Sequence, residues 1–290
     1  MMRLLLSLLL ALLPLSAAAV EVLASIRPLA LIAAAVTGEA GSVRQLVPAG
    51  ASSHHYQLRP SDKLALARAG LVLWVGPAHE RFLVKTLAAH PGRLTAQQLP
   101  GIRLRPQRRP DGGSIQPGSV DAHLWLDPDN AAAIARALAD ALAARAPARA
   151  ALYRRNAAAF AARLTAFRVQ QEARFQQLPS RAYVAYHDAY QYLEPLLGLH
   201  YRGSLMASPE SKPGARHFLL MAQRIEREGI GCFLGEPGFD RGLAQQALRG
   251  RALRTAEVDE QFAAAPSGRG GYEAGLAQMA AAIRHCLGGP

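Results

Sequence analysis

The chain has 290 residues, half of them apolar and 19% charged, which excludes a disordered polymer and allows two ordinary cores. Its formal charge of +12 comes almost wholly from arginines scattered over many segments, with lysine only at Lys63, Lys85 and Lys212. That dispersion argues against nucleic acid as a partner.

Arg3 precedes an apolar run from Leu4 to Leu15 and a small-residue exit, Ser16-Ala17-Ala18-Ala19. This is the order of a secretory signal peptide, residues 1–19, with cleavage expected after Ala19. The run is about a dozen residues, short of the ~20 that cross a bilayer as a helix. A periplasmic, soluble mature chain follows from that reading. Export places Cys232 and Cys286 in an oxidising compartment, where an isolated pair is expected to form a disulfide.

After Val20, strands and helices alternate. Val20 to Ile26 reads as a strand, Leu29 to Val36 as a helix after Pro28, and Val43 to Val47 as a second strand. Ser61 is expected to cap a helix ending near Gly70, followed by the buried strand Leu71 to Val75 and a helix over Glu80 to Ala89. Pro100 to Ser119 is rich in Pro, Gly and Arg and reads as a mobile surface loop. Its Arg103, Arg105, Arg108 and Arg109 then form a solvated cluster, an acidic partner or a membrane surface being the functional alternative. Leu124 to Leu126 is expected as a short strand, and Asp127-Pro128 opens a helix.

Pro147 to Leu178 has no internal Gly or Pro, and Leu152, Phe160, Leu164, Phe167 and Phe175 recur at near-helical spacing. One long helix is expected there. The alternation then resumes. Strands are expected at Ala182–Tyr186, Tyr201–Met206, Ile230–Leu234 and Leu253–Val258. Helices are expected at Asp188–Leu197, Pro213–Glu228, Arg241–Arg249 and Tyr272–Leu287. The fold class is therefore α/β: two βα-alternating lobes with parallel sheets, residues 20–146 and 179–290, joined by the long helix 147–178. Ligand sites in such sheets lie beyond the carboxyl ends of the strands, so the site is expected in the cleft between lobes. No internal repeat is strong enough to claim.

Histidine carries the chemistry. His54 follows Gly50-Ala51-Ser52-Ser53, His123 precedes Leu124-Trp125-Leu126, and His187 closes the strand Ala182 to Tyr186. Asp259 follows the strand Leu253 to Val258. Three imidazoles and a carboxylate suffice for four-coordinate zinc, with water as the alternative to Asp259. Their spacings fit no compact zinc motif, so each histidine alone is weak evidence. His79, His90, His200, His217 and His285 show no partners in the sequence and are read as surface or structural, and Tyr190 and Trp125 as wall packing.

The segments Pro48-Ala49-Gly50-Ala51-Ser52-Ser53-His54-His55-Tyr56-Gln57-Leu58-Arg59-Pro60-Ser61-Asp62, Leu73-Trp74-Val75-Gly76-Pro77, His123-Leu124-Trp125-Leu126-Asp127-Pro128 and His187-Asp188-Ala189-Tyr190 occur in order. So do Pro209-Glu210, Pro213-Gly214-Ala215 and Glu236-Pro237. Together they resemble the metal-ion solute-binding proteins of ABC transporters, and more narrowly their zinc-uptake branch, over essentially the whole mature chain. The resemblance implies a non-enzymatic carrier, a monomer that delivers Zn²⁺ to an inner-membrane permease through His54, His123, His187 and Asp259. In manganese and iron members a glutamate stands where His187 stands, so the imidazole favours zinc over manganese or iron cargo. The zinc members also carry a cysteine pair placed like Cys232 and Cys286. An exported zinc hydrolase is the alternative of another class, without a glutamate that a recognisable motif makes a general base.

This chain departs from its relatives in three places. Ser53 stands where some carry an acidic residue that can approach the metal. His55 takes a position often acidic, and as the extended-chain neighbour of His54 it is expected to be second-shell or on the surface. The stretch before His123 has no histidine, so it does not gather metal. Glu236 is read as a second-shell partner of a ligand imidazole.

Overall fold

A computed structural model describes residues 20–51, 53–207, 214–248 and 253–289. The expected signal peptide, Ser52, Pro209, Glu210 and the first residue of the helix expected from Pro213 lie outside the described residues. The apolar runs early in the chain form β1 (Glu21–Ala24) and, after β2 (Ser42–Gln45), the fully buried β3 (Leu71–Trp74). With β4 (Arg93–Thr95) they make one parallel sheet in the order β2-β1-β3-β4. Burial on both faces explains why β3 reads as continuous apolar sequence rather than alternation. The helices of this lobe are α1 (Arg27–Thr37), α2 (Pro60–Arg68) and α3 (Val84–Leu87).

Two long helices follow, α4 (Pro128–Arg145) and α5 (Ala150–Gln176). The Asp127 side chain caps α4 by accepting from Asp129 N at 2.8 Å, and Pro128 occupies the first turn, where no amide hydrogen is needed. The second lobe contains β5 (Ala182–Ala185), β6 (His200–Ser204), β7 (Cys232–Gly235) and β8 (Arg254–Glu257). Its helices are α6 (Glu194–Leu197), α7 (Ala215–Glu228), α8 (Arg241–Ala247) and α9 (Gly271–Cys286). Its parallel sheet runs β6-β5-β7-β8, the same topology as the first. Two βα lobes with a shared winding thus arise without a visible sequence repeat. Among the described residues no helix is long and apolar enough to cross a membrane.

The lobes are not hung on a bare strut. Leu31 and Leu73 of the first lobe, Trp125, Phe160 and Phe167 of the middle, and Tyr183, Tyr272 and Ile283 of the second belong to one contiguous buried cluster. Arg27 Nε donates to Phe262 O at 3.0 Å and Trp125 Nε1 to Glu260 O at 2.9 Å, fastening the lobes near the cleft. A disulfide joins Cys232, at the start of β7, to Cys286, the last residue of α9. Closing that loop stabilises the fold by roughly 4 kcal/mol in the chain-entropy account.

Several local expectations are corrected. Leu124–Leu126 is a 3-10 turn rather than a strand, because Leu126 N bonds back to His123 O at 3.1 Å and leads into the Asp127 cap. Helix α2 begins at Pro60 with Arg59 as the cap; Asp62 accepts Arg59 N at 2.8 Å, so Ser61 lies inside the first turn. The helix expected over residues 80–89 is a 3-10 turn, Arg81–Leu83, running into the short α3. Only Glu194–Leu197 is helical in the segment 188–197, since the chain after His187 turns immediately, Ala189 N donating to His187 O at 3.1 Å. β4 is three residues long, too short for its pattern to register.

The basic loop is the largest correction. The Arg108 side chain is only 11% exposed, its guanidinium donating to both oxygens of Asp188 at 2.7 and 2.8 Å and of Glu194 at 2.7 and 2.9 Å. It also lies 4.1 Å from the centre of the Tyr201 ring. Arg105 N donates to Tyr192 Oη at 2.9 Å. The segment is fastened to the second lobe because one arginine finds two buried carboxylates far along the chain. Replacing Arg108 by methionine would leave both carboxylates buried without their partner. Arg108→Met is expected to lower unfolding free energy by about 3–5 kcal/mol in urea melts, and Arg108→Lys to recover little of it because lysine lacks the planar fork.

Candidate metal centre

The two sheets present their carboxyl ends to a common cleft. In the second lobe the winding reverses between β5 and β7; His187 follows β5 and Glu236 follows β7. In the first lobe the reversal falls between β1 and β3, and the turn after β3 carries Gly76, His79 and Glu80. His54 stands on the loop between β2 and α2, and His123 immediately before the turn into α4. The cleft is where this architecture concentrates ligand groups.

One ligating atom from each of His54, His123 and His187 lies within 4.8 Å of the others. His123 Nδ1 donates to Asp121 Oδ1 at 2.8 Å, and His187 Nδ1 is hydrogen-bonded to Glu236. Each ring therefore spends its outer nitrogen on a carboxylate and turns Nε2 inward, the two Nε2 atoms being 3.3 Å apart. His54 Nε2 is buried with no hydrogen-bond partner.

The charges respond to this crowding. Burial, then the neighbouring His123 and His187, push His54 down to about 3, so its imidazole is neutral. Burial opposes charge on His187 too, but the Glu236 carboxylate outweighs it and raises the group to about 9. At neutral pH a proton on His187 Nε2 can thus be shared with His123 Nε2. A divalent cation would replace that proton and use all three nitrogens.

The structure brings Glu236 against His187 but does not bring Asp259 into the trio. The Asp259 carboxylate accepts from Gln261 N at 3.0 Å and Ala263 N at 2.6 Å, closing the turn after β8. The open cleft of about 260 Å³ beside the histidines is lined by His54, Glu236, Asp259 and Glu260, among others. Glu260, absent from the sequence reading, is buried, and burial followed by the Glu236 charge raises its carboxyl to about 6. His55 is exposed. Trp125 walls the site, its ring centre 5.3 Å from that of His123, and Tyr190 is fully buried nearby. His90 and His217 bond to backbone carbonyls, Leu66 O at 3.1 Å and Ser204 O at 2.8 Å, and His200 and His285 are exposed.

Of the two places the sequence allows His79, surface or structural, the structure excludes the surface: the ring is buried against the site, its centre 4.4 Å from that of His54. Its place just past the carboxyl end of β3, in Gly76-Pro77-Ala78-His79, was the available signal.

A family model described as zinc-uptake complex component A, periplasmic (ZnuA), matches residues 22–286. The chain belongs to the ZnuA family. Among its relatives, the high-affinity zinc uptake system protein ZnuA of Brucella abortus (strain 2308) is 29% identical over 304 aligned residues, covering 92% of this chain and 91% of that protein. Its counterpart in Haemophilus ducreyi is 29% identical, covering 92% and 93%. A crystal structure of ZnuA superposes with a TM-score of 0.79 at 21% identity, covering 93% of this chain and 99% of that one. The laminin-binding protein Lmb of Streptococcus agalactiae, described as an adhesin with metal-transporting activity, gives 0.80 at 21% identity, covering 93% and 99%. At these identities the solved structures show the shared two-lobed fold. The ZnuA family is one of extracytoplasmic transport components.

The first lobe contains a second ionisable group at the strand ends. Glu80 is fully buried, and burial lifts its carboxyl to about 7 despite hydrogen bonds from Ser25 Oγ, Gly76 N and Val75 N. A folded-state value above the ordinary 4.5 favours the folded state fully below pH ~4.5, and that contribution is lost as pH rises through about 7. Between pH 4.5 and 8 the unfolding free energy of Glu80→Gln should therefore rise relative to the parent, by up to about 3 kcal/mol, in parallel urea melts.

Proposed function

We propose that this protein captures Zn²⁺ outside the cytoplasm through His54, His123 and His187 and delivers it to the permease of an ABC transporter. The observation that carries the reading is the trio of converging imidazoles. Zinc–nitrogen bonds of about 2.0–2.1 Å put tetrahedral ligand nitrogens about 3.4 Å apart. The two inward nitrogens of His123 and His187 already stand at 3.3 Å. A nitrogen-rich donor set suits zinc better than manganese, whose preferred ligands are oxygens. Asp121 and Glu236 hold the His123 and His187 rings in their ligating orientation, and Glu236 raises the basicity of His187.

For the fourth position the sequence offers Asp259 or water. The relatives from Brucella abortus and Haemophilus ducreyi are named for high-affinity zinc uptake. We take the cargo and the permease partner from that likeness, together with a monomeric carrier exported by residues 1–19. The continuous core through α4 and α5 favours small lobe movements during capture and release.

Calorimetric titration of the metal-free protein tests this. The parent should bind one equivalent of Zn²⁺, whereas His54→Ala and His187→Ala should weaken binding on the order of 100-fold, at or beyond the cost of losing an outer-shell partner. Full affinity in both variants, or manganese bound in preference to zinc, would reject the reading.

A further inference from the structure

His79 is 2% exposed, yet its surroundings use only one of its two ring nitrogens. Nε2 is hydrogen-bonded to Ser53 Oγ at 3.0 Å, while Nδ1 is buried with no hydrogen-bond partner. If Nε2–H donates to the hydroxyl, Nδ1 keeps its lone pair. A lone pair sealed away from water and from every donor is costly, and such groups in folded proteins call for an explanation.

The ring stands among the three histidines of the site. Its centre is 4.4 Å from that of His54 and 6.2 Å from that of His123. In a tetrahedral zinc site of imidazoles, ring centres stand about 5.2 Å apart, given bonds of about 2.0–2.1 Å. The three pairs of the trio, at 5.2, 5.8 and 6.3 Å, lie at or above that value, and the two His79 pairs fall one on either side of it. His79 also repeats the pattern of His123 and His187. One nitrogen is anchored to a protein oxygen and the other is left for a ligand, here with Ser53 in place of a carboxylate.

We propose that His79 supplies Nδ1 as a fourth nitrogen donor, so that the bound ion is held by four imidazoles. The inference rests on the three-histidine reading above and adds the ligand that completes it. Nδ1 of His79 is outside the trio that lies within 4.8 Å, so ligation requires this ring to move inward. Ser53 is the neighbour of His54 on the same loop, and its bond to His79 lets the two rings move together. Asp259 is then left to close its own turn, both of its oxygens being engaged by backbone N–H groups. A site of four nitrogens discriminates more strongly against oxygen-preferring ions such as manganese than one with a carboxylate.

Zinc-edge X-ray absorption on the full mature chain, loaded with one equivalent of Zn²⁺, reads the number of imidazoles directly. The parent should show four imidazoles. His79→Phe, which keeps the edge-on packing against His54 and Trp125, should show three plus an oxygen and bind zinc about tenfold or more weakly. His79→Gln, which can keep the bond to Ser53, should show the same loss, so a folding defect in one variant does not decide the matter. A parent spectrum with three imidazoles and an oxygen, unchanged in both variants, would overturn the proposal while leaving the three-histidine carrier intact. A parent that binds no zinc would instead overturn the carrier reading.

Discussion

His123 and His187 face each other through Nε2 across 3.3 Å, while each commits Nδ1 to a carboxylate. Two neutral rings oriented this way point lone pair at lone pair, and neither can donate to the other. The protein alone resolves the conflict by keeping a proton between them, and the Glu236 carboxylate, which raises His187, favours that proton. A cation with several open positions resolves it better, since it also engages His54, whose buried Nε2 has no partner. The energetic cost of assembling the site is thus carried by the fold, and the ion removes it on binding.

Holding that arrangement requires the two lobes to stay in register to a fraction of an ångström. His187 and Glu236 belong to one lobe; His54 and His79 belong to the other, and His123 stands at the entry to α4. The shared core through α4, α5 and α9 supplies the rigidity. Trp125 couples it to the site directly: its ring packs beside those of His79 and His123 while Nε1 donates to Glu260 O in the opposite lobe. Arg108 adds a second fastening, fixing the loop that leads to Asp121 and His123 onto Asp188, the neighbour of His187. Both ligands at the lobe boundary are therefore braced by groups one or two residues away in sequence.

The strand-helix alternation and the long helix were legible because period and punctuation are local properties. Burial of β3 on both faces wrote itself as Leu71-Val72-Leu73-Trp74, and α5 as a stretch free of Gly and Pro. His54, His123 and His187 were legible as a set only through the likeness of their flanking segments, since their spacings make no motif. What stayed hidden depends on contacts across the chain. Arg108 looks like any loop arginine until Asp188 and Glu194 are placed beside it. His79 and Glu260 gain their significance from the closure of the cleft, and Asp259 from the turn that its carboxylate caps. The common topology of the lobes was hidden as well, because a winding order can persist when side-chain patterns have diverged.

The overall charge opposes the approach of a cation, and distance resolves the conflict. The +12 belongs to arginines spread over the whole chain, and at physiological salt the field of an exposed charge fades over about 8 Å. Several arginines are paired where they stand, Arg108 with Asp188 and Glu194, Arg103 and Arg168 with Asp129, and Arg163 with Glu273. Within reach of the imidazoles the balance is the reverse. Asp121 and Glu236 lie directly behind two of the rings, and Asp259 and Glu260 line the mouth. An approaching divalent ion therefore meets a local negative potential in an otherwise basic molecule, and the low dielectric of the cleft walls strengthens that potential relative to the screened surface.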